Sequence, residues 1–346
     1  MKTKYILFSD GKSPHTLKWL IELVKYYDVY LISLNGYNNE VLEYISKENI
    51  YVLNDSVNTS GGNFKLLLKY FELKKIINKI NPIYLNAHYL SSYGILASMI
   101  KKSYSHIKLI QSTWGSDVLV SPFKNKLKFS IAKYALKNAD LITSDSYFMS
   151  DKINDIYQNN ITMTFPFGLD DFEVDNSIKK DEFLIFSNRA LSENYNIDTI
   201  INWFSTIEDT RYKLIIANDG YMKKNLKDLV HILNLSSRVS FVGFLNKQQQ
   251  EQNYKNSKYY ISIPTSDSTA VSLLEAMRYG CYPIVSNLVA NREWIIDNFN
   301  GSFYSKNMPL STSFEQDVII NNQKIIKSNA IFENDIKKYV SKIGNI

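Results

Sequence analysis

Two acidic residues, Asp267 and Glu275, stand eight positions apart in a stretch whose pattern predicts a strand, a loop, a helix and a second strand. The apolar run 258–263 precedes the loop, and residues 266–269 are small and polar, of the kind that cap helices. A helix N-terminus attracts anions such as a diphosphate, and nearby carboxylates accept hydrogen bonds from sugar hydroxyls. Together these features predict a site for a nucleotide sugar.

The same stretch resembles the retaining glycosyltransferases of family 4, whose signature is two Glu residues followed by Ala-Met and Gly-x-Pro. The matching residues here are Asp267, Glu275, Ala276, Met277, Gly280 and Pro283. The resemblance implies that Glu275 binds the ribose and Asp267 the donor sugar. It also implies that the backbone amides of four residues between them hold the sugar and diphosphate: Ser268, Thr269, Ala270 and Val271. Asp267 is one methylene shorter than the usual Glu. The alternative is that Glu275 simply points to solvent from a helix.

Composition places the chain among folded two-domain proteins. It has 346 residues, of which 45% are hydrophobic and 21% charged, and no apolar run is long enough to span a bilayer. The single cysteine, Cys281, fits a reducing compartment and a buried thiol. The net charge of +6 comes mostly from lysine, which suits phosphate-rich surfaces better than base reading and so argues against nucleic acid. We expect a cytoplasmic protein, peripheral at the inner face of the membrane.

Strands and helices alternate through residues 1–170, which predicts an α/β fold with a doubly wound parallel sheet. Ligands of such sheets bind at the carboxyl ends of the strands. Four loops there carry candidate groups, and the loop at Gly11 lacks the spacing of a dinucleotide fingerprint. That lack argues against an NAD-dependent enzyme.

The family resemblance extends to these loops and implies the GT-B fold, two Rossmann-like domains facing a cleft. Residues 1–170 would bind the acceptor, 171–325 the nucleotide-sugar donor, and 326–346 would form a helix that crosses back to the first domain. The implied acceptor-side residues are Gly11, His15, His88 and Asp117. For His88 the alternative is a histidine satisfied by backbone groups.

The segment 121–140 is rich in lysine and fits a single amphipathic helix with Leu127, Ile131 and Ala135 along one stripe. Such a helix can lie on an anionic membrane. A helix docked on the domain by the same stripe, with its lysines in solvent, fits equally well.

In the second half, Arg189 follows a predicted strand at residues 183–186. The resemblance assigns it to the donor diphosphate, together with a Lys a few residues on. Asn194 and Tyr195 occupy the place of that Lys. Val242, Gly243 and Phe244 match the family segment near the nucleobase, although an ordinary strand end explains Val242 equally well.

We therefore predict a retaining, hexosyltransferase-type glycosyltransferase that uses a nucleotide-diphosphate sugar, with a UDP-sugar favoured. Asp267, Arg189 and Glu275 are the expected catalytic residues. No Asp-x-Asp triplet follows a predicted strand, so we expect no metal and no cofactor. The expected acceptor is a lipid-linked glycan of O-antigen, capsule or similar surface-polysaccharide synthesis in a bacterium. The alternatives are a UDP-sugar 2-epimerase of the same fold and a non-catalytic nucleotide-sugar-binding protein.

Overall fold

A computed structural model describes residues 2–53, 68–170, 180–310 and 316–346. The chain forms two compact units, one of Met1–Phe165 with Glu333–Ile346 and one of Pro166–Phe332. The first boundary thus falls five residues before the expected 170/171. Leu169 explains the difference, because its backbone exchanges hydrogen bonds with Ala330 and Phe332 of the second unit. Most of the expected linker, residues 171–179, lies outside the described part of the chain.

The first unit contains one parallel sheet of seven strands in the order β3-β2-β1-β4-β5-β6-β7. The strands are β1 Lys4–Phe8, β2 Asp28–Ser33, β3 Ile50–Val52, β4 Tyr84–His88, β5 Lys108–Ser112, β6 Leu141–Ser144 and β7 Thr162–Thr164. The helices are α1 Pro14–Leu23, α2 Lys69–Ile80, α3 Ile95–Ser103, α4 Ser116–Leu119, α5 Lys126–Lys137 and α6 Tyr147–Ile156.

The most central position in this sheet belongs to a strand that is buried on both faces, β1. β1 pairs on one side with β2 (Leu7 beside Leu31) and on the other with β4 (Leu7 beside Asn86). Its residues 5–8 are fully buried, as continuous apolar central strands of a parallel sheet should be. The order in which the chain adds strands reverses between β1 and β4. In parallel sheets of this kind, ligands bind at such a switch point. The alternation of strands and helices expected through residues 1–170 is confirmed. β3 and β7 are short and only half buried, and neither was predicted.

The second unit contains a parallel sheet of six strands in the order β10-β9-β8-β11-β12-β13. The strands are β8 Asp181–Asn188, β9 Lys213–Ala217, β10 Val239–Gly243, β11 Ser257–Ser262, β12 Tyr282–Val285 and β13 Ser302–Phe303. The helices are α7 Ile197–Ser205, α8 Lys223–Ile232, α9 Lys247–Asn256, α10 Val271–Arg278 and α11 Gln316–Asn329. The switch point of this sheet lies between β8 and β11.

The last helix, α12 Phe332–Ile343, packs within the first unit. Tyr339 is fully buried, and its hydroxyl lies 2.7 Å from that of Tyr5 on β1. The return to the first unit comes at Glu333 rather than at the expected residue 326. Ile326 itself is buried in the core of the second unit, which places α11 there.

The lysine-rich segment 121–140 is not one helix, and the predicted stripe is wrong in part. A short 3-10 turn, Pro122–Lys124, is followed by extended backbone at Asn125, whose side chain accepts a hydrogen bond from the Lys128 amide and so begins α5 there. The residues of α5 that are buried are Ala132, Ala135 and Leu136. Leu127, the predicted start of the docked stripe, is 61% exposed.

Among the residues that the structure describes, no helix is both long and apolar enough to cross a bilayer. Cys281 is fully buried, and its thiol lies 3.1 Å from the carbonyl oxygen of Tyr254. It is therefore a core thiol, as predicted.

Candidate active site

The centre of the candidate site is an ion pair between Arg189 and Asp267. Arg189 follows β8 and Asp267 follows β11, so the switch point of the second sheet brings them together across 78 residues of chain. Arg189 Nη2 lies 2.6 Å from Asp267 Oδ2, and the side chains are 11% and 22% exposed. Burial is the largest single influence and lowers the pKa of Arg189, but Asp267, Tyr260 and Tyr195 together outweigh it, so the pKa is raised and the guanidinium stays charged.

Two further side chains hold the Arg189 guanidinium in place. Its Nη1 donates to the hydroxyl of Ser272 on α10, at 2.9 Å, and the ring of Tyr195 lies 4.4 Å from the guanidinium carbon. Ser272 also accepts from Tyr260 on β11, at 2.7 Å. The guanidinium packs on an aromatic ring and donates hydrogen bonds through both terminal nitrogens, so its orientation is fixed. Sequence reasoning named neither Tyr195 nor Ser272 as a site residue.

Asn194 stands where the resemblance expects a Lys, and it forms three hydrogen bonds with the loop before Asp267. Its amide donates to the Ser266 carbonyl at 3.0 Å and accepts from the Ser266 amide at 3.1 Å. Its own carbonyl accepts from the Thr265 amide at 2.7 Å. Asn194 therefore fixes the loop that carries Asp267, and the charge that a Lys would add is absent from this position.

The helix after this loop begins without a side-chain cap. The N-cap of α10 is Ala270, in extended conformation, with no side-chain hydrogen bond to the first turn. The prediction that residues 266–269 cap the helix is therefore wrong. The Thr269 hydroxyl instead lies 3.3 Å from the indole nitrogen of Trp294, and the Ser268 amide donates to Asp267 Oδ1 at 3.1 Å. An uncapped N-terminus leaves its amides for an anion.

Glu275 is half buried on α10 rather than directed only to solvent. Burial first, and then the charge of Glu275, raises the pKa of the fully buried Tyr254 far above its ordinary value. The pKa of Tyr260 is also raised, by burial first, with the charge of Glu275 adding to the shift. The Glu275 carboxyl group thus stands beside two phenols that stay protonated at neutral pH.

The segment at the end of β10 forms a bulge. Its pairing with β9 shifts register between Phe241 and Gly243, and Gly243 has φ +73°. A bulge redirects the side chains around it, and here Val242 and Phe244 are 42% and 76% exposed. β10 lies two strands from β8, about 10 Å across the sheet. The three residues proposed for the nucleobase thus lie on the same sheet as the ion pair.

In the first unit, Gly11 lies where the β1–α1 loop touches the chain after β2. A Cβ at Gly11 would come within 2.6 Å of the Gly36 carbonyl oxygen, and the Gly11 carbonyl accepts from the Asn38 amide at 2.9 Å. This close approach explains the glycine by packing. It shapes the loop that leads to His15 near the start of α1.

His15 and His88 both pack against Trp114. The ring centroids lie 5.3 Å apart for each pair, and Trp19 meets His88 at 5.2 Å. Burial lowers the pKa of His15 to about 4, with Lys18 contributing, and lowers the pKa of His88 to about 3, with His15 contributing. Both imidazoles are therefore neutral at pH 7.

His88 also carries buried polar atoms that the described residues leave unsatisfied. Its two ring nitrogens and the indole nitrogen of Trp114 have no hydrogen-bond partner among those residues. The alternative of a histidine satisfied by backbone is thus not supported in the described structure. Tyr89, the next residue, has φ +77°, an unusual conformation for a non-glycine residue. Such strain at a strand end is often found where a site is held in a fixed geometry.

Asp117 is fully buried and uses both oxygens to fix this loop. Oδ1 accepts from the Trp114 amide and Oδ2 from the Leu90 amide, each at 3.0 Å. Burial raises the pKa of Asp117, and the amide hydrogen bonds oppose the increase. The placement favours a positioning role for Asp117, since its carboxylate holds Trp114 beside the two histidines.

Both halves of the chain match family models of glycosyl transferases. Residues 4–146 match a model described as glycosyl transferase 4-like, and residues 170–337 match glycosyl transferases group 1. Together they account for about nine tenths of the chain. The protein therefore belongs to the glycosyltransferases, and its two parallel-sheet units have the GT-B fold.

Particular relatives agree with this classification. The chain is similar to the alpha-monoglucosyldiacylglycerol synthase of Streptococcus pneumoniae, with 25% identity over 33% of this chain and 28% of that protein. It is also similar to an uncharacterized glycosyltransferase of Methanocaldococcus jannaschii, with 24% identity over 92% of this chain and 74% of that protein. A second uncharacterized glycosyltransferase of that organism is matched over 42% of its length, so the chain spans less than half of the first two relatives.

Solved structures share the fold at low sequence identity. HepE of Anabaena, crystallised with UDP, has a TM-score of 0.77 at 13% identity, with all of both chains covered. Sucrose-phosphate synthase of Thermosynechococcus elongatus has a TM-score of 0.80 at 12% identity, covering 99% of this chain and all of that one. The lipopolysaccharide outer core galactosyltransferase WaaB has a TM-score of 0.66 at 15% identity, covering 94% and 95%.

Proposed function

We propose that this glycosyltransferase transfers a hexose from a UDP-sugar, with retention of configuration and without a metal, to a lipid-linked glycan of bacterial surface-polysaccharide synthesis. The observation that carries the proposal is the grouping of Arg189, Asp267 and the uncapped start of α10 at one switch point. A fixed cation beside free helix amides suits a diphosphate, and a nearby acid suits sugar hydroxyls.

The donor assignment has support from similar structures. HepE of Anabaena was crystallised with UDP, with UDP and glucose, and with UDP-glucose. In this chain Glu275 on α10 would accept hydrogen bonds from the ribose, and the backbone of residues 242–244 would contact the base. The acceptor assignment draws on two relatives whose names give a diacylglycerol glycolipid and a lipopolysaccharide core as their products.

In the proposed reaction the acceptor hydroxyl attacks the anomeric carbon on the face from which UDP leaves. The bond to the phosphate oxygen breaks as the glycosidic bond forms, and the departing phosphate takes the acceptor proton. Arg189 and the first amides of α10 stabilise the charge that develops on the phosphate. Asp267 orients the sugar and shares Arg189 with the incoming diphosphate.

The neutral histidines of the first unit fit the acceptor side. An uncharged imidazole offers one donor and one acceptor to a sugar hydroxyl, and both nitrogens of His88 lack a partner among the described residues. We assign the group formed by His15, His88 and Trp114 to acceptor binding, with Gly11 and Asp117 shaping its loops.

A thermal-shift series with UDP-, GDP- and ADP-sugars tests the donor, because a ligand that binds the native state raises its melting temperature. We expect a shift with UDP-sugars that is lost in Glu275→Ala and retained in Glu208→Ala, a control on the exposed surface of the same unit. A shift with GDP- or ADP-sugars alone would reject the uridine assignment.

A second assay separates transfer from the alternatives. Incubation with donor and a lipid-linked acceptor should release UDP, and removal of the acceptor should stop most of the release. A new sugar epimer formed without acceptor would identify the epimerase, and donor binding without UDP release would identify a binding protein. EDTA should leave the rate unchanged; complete loss with recovery on Mn²⁺ would reject the metal-free mechanism.

A further inference from the structure

A cluster of exposed apolar and basic residues in the first unit has no role in the site described above. Three apolar side chains lie within eight residues of one another, and Val120, Phe123 and Leu127 are 36%, 52% and 61% exposed. Lys124 and Lys126 stand between Phe123 and Leu127, and both are exposed. We call Val120, Phe123, Lys124, Lys126 and Leu127 the apolar-basic surface.

The fold itself leaves these side chains outside the core. α5 docks on the unit through its later turns, at Ala132, Ala135 and Leu136. Asn125 has extended backbone and starts the helix. Of the preceding turn and the first turn of α5, Pro122 and Phe129 pack inward, whereas Phe123 and Leu127 are exposed. Phe123 touches only the edge of Phe129 among the rings described, with centroids 6.4 Å apart. A group of exposed large apolar residues of this kind marks an interaction surface.

The chain segment that carries this surface has charge of a single sign. Residues 118–139 contain five lysines and no acidic residue. Neither Lys124 nor Lys126 forms an ion pair within the part of the chain that the structure describes. The partner must therefore be both anionic and apolar at short range.

We propose that the apolar-basic surface binds the interface of an anionic lipid bilayer. Val120, Phe123 and Leu127 enter the boundary between headgroups and acyl chains, and Lys124 and Lys126 contact lipid phosphates. Lysine suits this task because it is a point charge on a long apolar stem, which can extend along the membrane surface.

The position of the surface gives the contact a direction. α4 begins four residues after β5 ends, at the carboxyl edge of the first sheet, and Val120 follows α4 directly. Trp114 and Asp117 lie in the same connection between β5 and α5. A membrane contact here would bring the carboxyl edge, where the two histidines lie, toward the lipid. The proposal goes beyond the proposed function and does not depend on transfer, since binding can be measured without donor or acceptor.

Vesicle co-sedimentation of the full chain tests the surface. We expect wild-type protein to bind phosphatidylcholine vesicles containing about one third phosphatidylglycerol and not to bind pure phosphatidylcholine. Two double variants, Lys124→Glu with Lys126→Glu and Phe123→Ser with Leu127→Ser, should each weaken binding by at least about tenfold. Because the four side chains are exposed, thermal melting should match wild type.

Matched controls lie on α8 in the other unit, where Lys224 and Lys227 are exposed and Ile232 is 71% exposed. Lys224→Glu with Lys227→Glu makes the same change in net charge, and Ile232→Ser removes a comparable apolar side chain. Both should bind as wild type does. Failure of wild type to bind anionic vesicles would overturn the proposal, as would equal losses in test and control variants.

Insertion has its own readout. In Phe123→Trp the added indole should be quenched by vesicles that carry brominated acyl chains, more than the native tryptophans are in the parent protein. Vesicle binding without added quenching would show a purely electrostatic contact, as with another polyanion, and would overturn the proposal.

Discussion

Arg189 Nη2 and Asp267 Oδ2 lie 2.6 Å apart at the switch point of the second sheet. Sequence comparison assigns the first residue to the donor phosphates and the second to the donor sugar. The structure shows that the two side chains bind one another. Under the proposed function, a donor diphosphate would share Arg189 with Asp267.

Replacing Arg189 tests the charge that faces the diphosphate. Arg189→Ala should lower the turnover number by more than about tenfold, because a preorganised donor to the developing phosphate charge is lost. Steady-state assays with UDP release provide the measurement. Arg211→Ala is a control, since Arg211 pairs with Asp209 on the surface of the same unit. A normal rate in Arg189→Ala would refute the diphosphate assignment.

Asp267→Asn tests the sharing of Arg189. The substitution keeps the side-chain size and removes the competing charge, so UDP alone should bind about tenfold more tightly while transfer slows. Isothermal titration calorimetry and the transfer assay give the two values. Asp267→Glu, which restores the usual acid of the family, should transfer at a rate near wild type. Weaker UDP binding by Asp267→Asn would show that the acid does not compete.

Glu275→Ala tests the ribose contact. Loss of hydrogen bonds to a charged acceptor should weaken nucleotide binding by roughly 1.5–3 kcal/mol. Calorimetry with UDP and with uracil ribonucleoside lacking phosphate would show the loss for both ligands. An affinity equal to that of wild type would leave Glu275 with only its structural contact to the buried tyrosines.

Asp117→Ala should reduce the free energy of unfolding by at least about 2 kcal/mol, because two backbone amides lose a buried acceptor. Urea denaturation followed by circular dichroism measures the change. Asp151→Ala, the same change at an exposed position of the same unit, is the control. A variant as stable as wild type that nevertheless fails to bind acceptor would make Asp117 a contact residue rather than a positioning one.

Because His88 is buried in its neutral form, we expect the free energy of unfolding to fall in acid. Burial lowers its folded-state pKa to about 3, whereas in the unfolded chain it titrates near the ordinary value of about 6.5. Between these values the unfolded state binds the extra proton, so the free energy of unfolding falls as pH falls, by about 2 kcal/mol from pH 7 to pH 5. His15 contributes in the same direction, since its pKa is lowered to about 4.

His88→Leu isolates the contribution of His88 to this pH dependence, because the variant keeps His15 and removes one titrating group. Urea denaturation at the two pH values should show a smaller decrease for the variant than for wild type. Identical decreases would mean that His88 is protonated or hydrated in the folded protein.

Some elements followed directly from the pattern of residues. Continuous apolar runs such as residues 5–8 and 258–263 belong to strands buried on both faces, so their type was predictable. The edge strand β7 has no comparable run and was missed. β3 lies in the apolar run 50–53 and was missed as well, although its residues are only half buried. The single helix expected over the lysine-rich segment is interrupted at Asn125. The Asn125 side chain accepts a hydrogen bond from the backbone and caps the start of α5, which favours a helix end at this position over a continuous helix.

The same distinction between local pattern and tertiary pairing applies to the candidate site. Sequence by itself predicted Asp267 and Glu275 as candidates for binding a nucleotide sugar, because their types and spacing along one strand–loop–helix unit are local properties. The tertiary structure alone decided which of them meet. Arg189 reaches Asp267, Ser272 and Tyr195 only because β8 and β11 are neighbours in a parallel sheet, a pairing that no local pattern encodes. The His88 nitrogens, which find no hydrogen-bond partner in the described part of the chain, likewise lie among the rings of Trp19 and Trp114, residues distant along the chain and close in space.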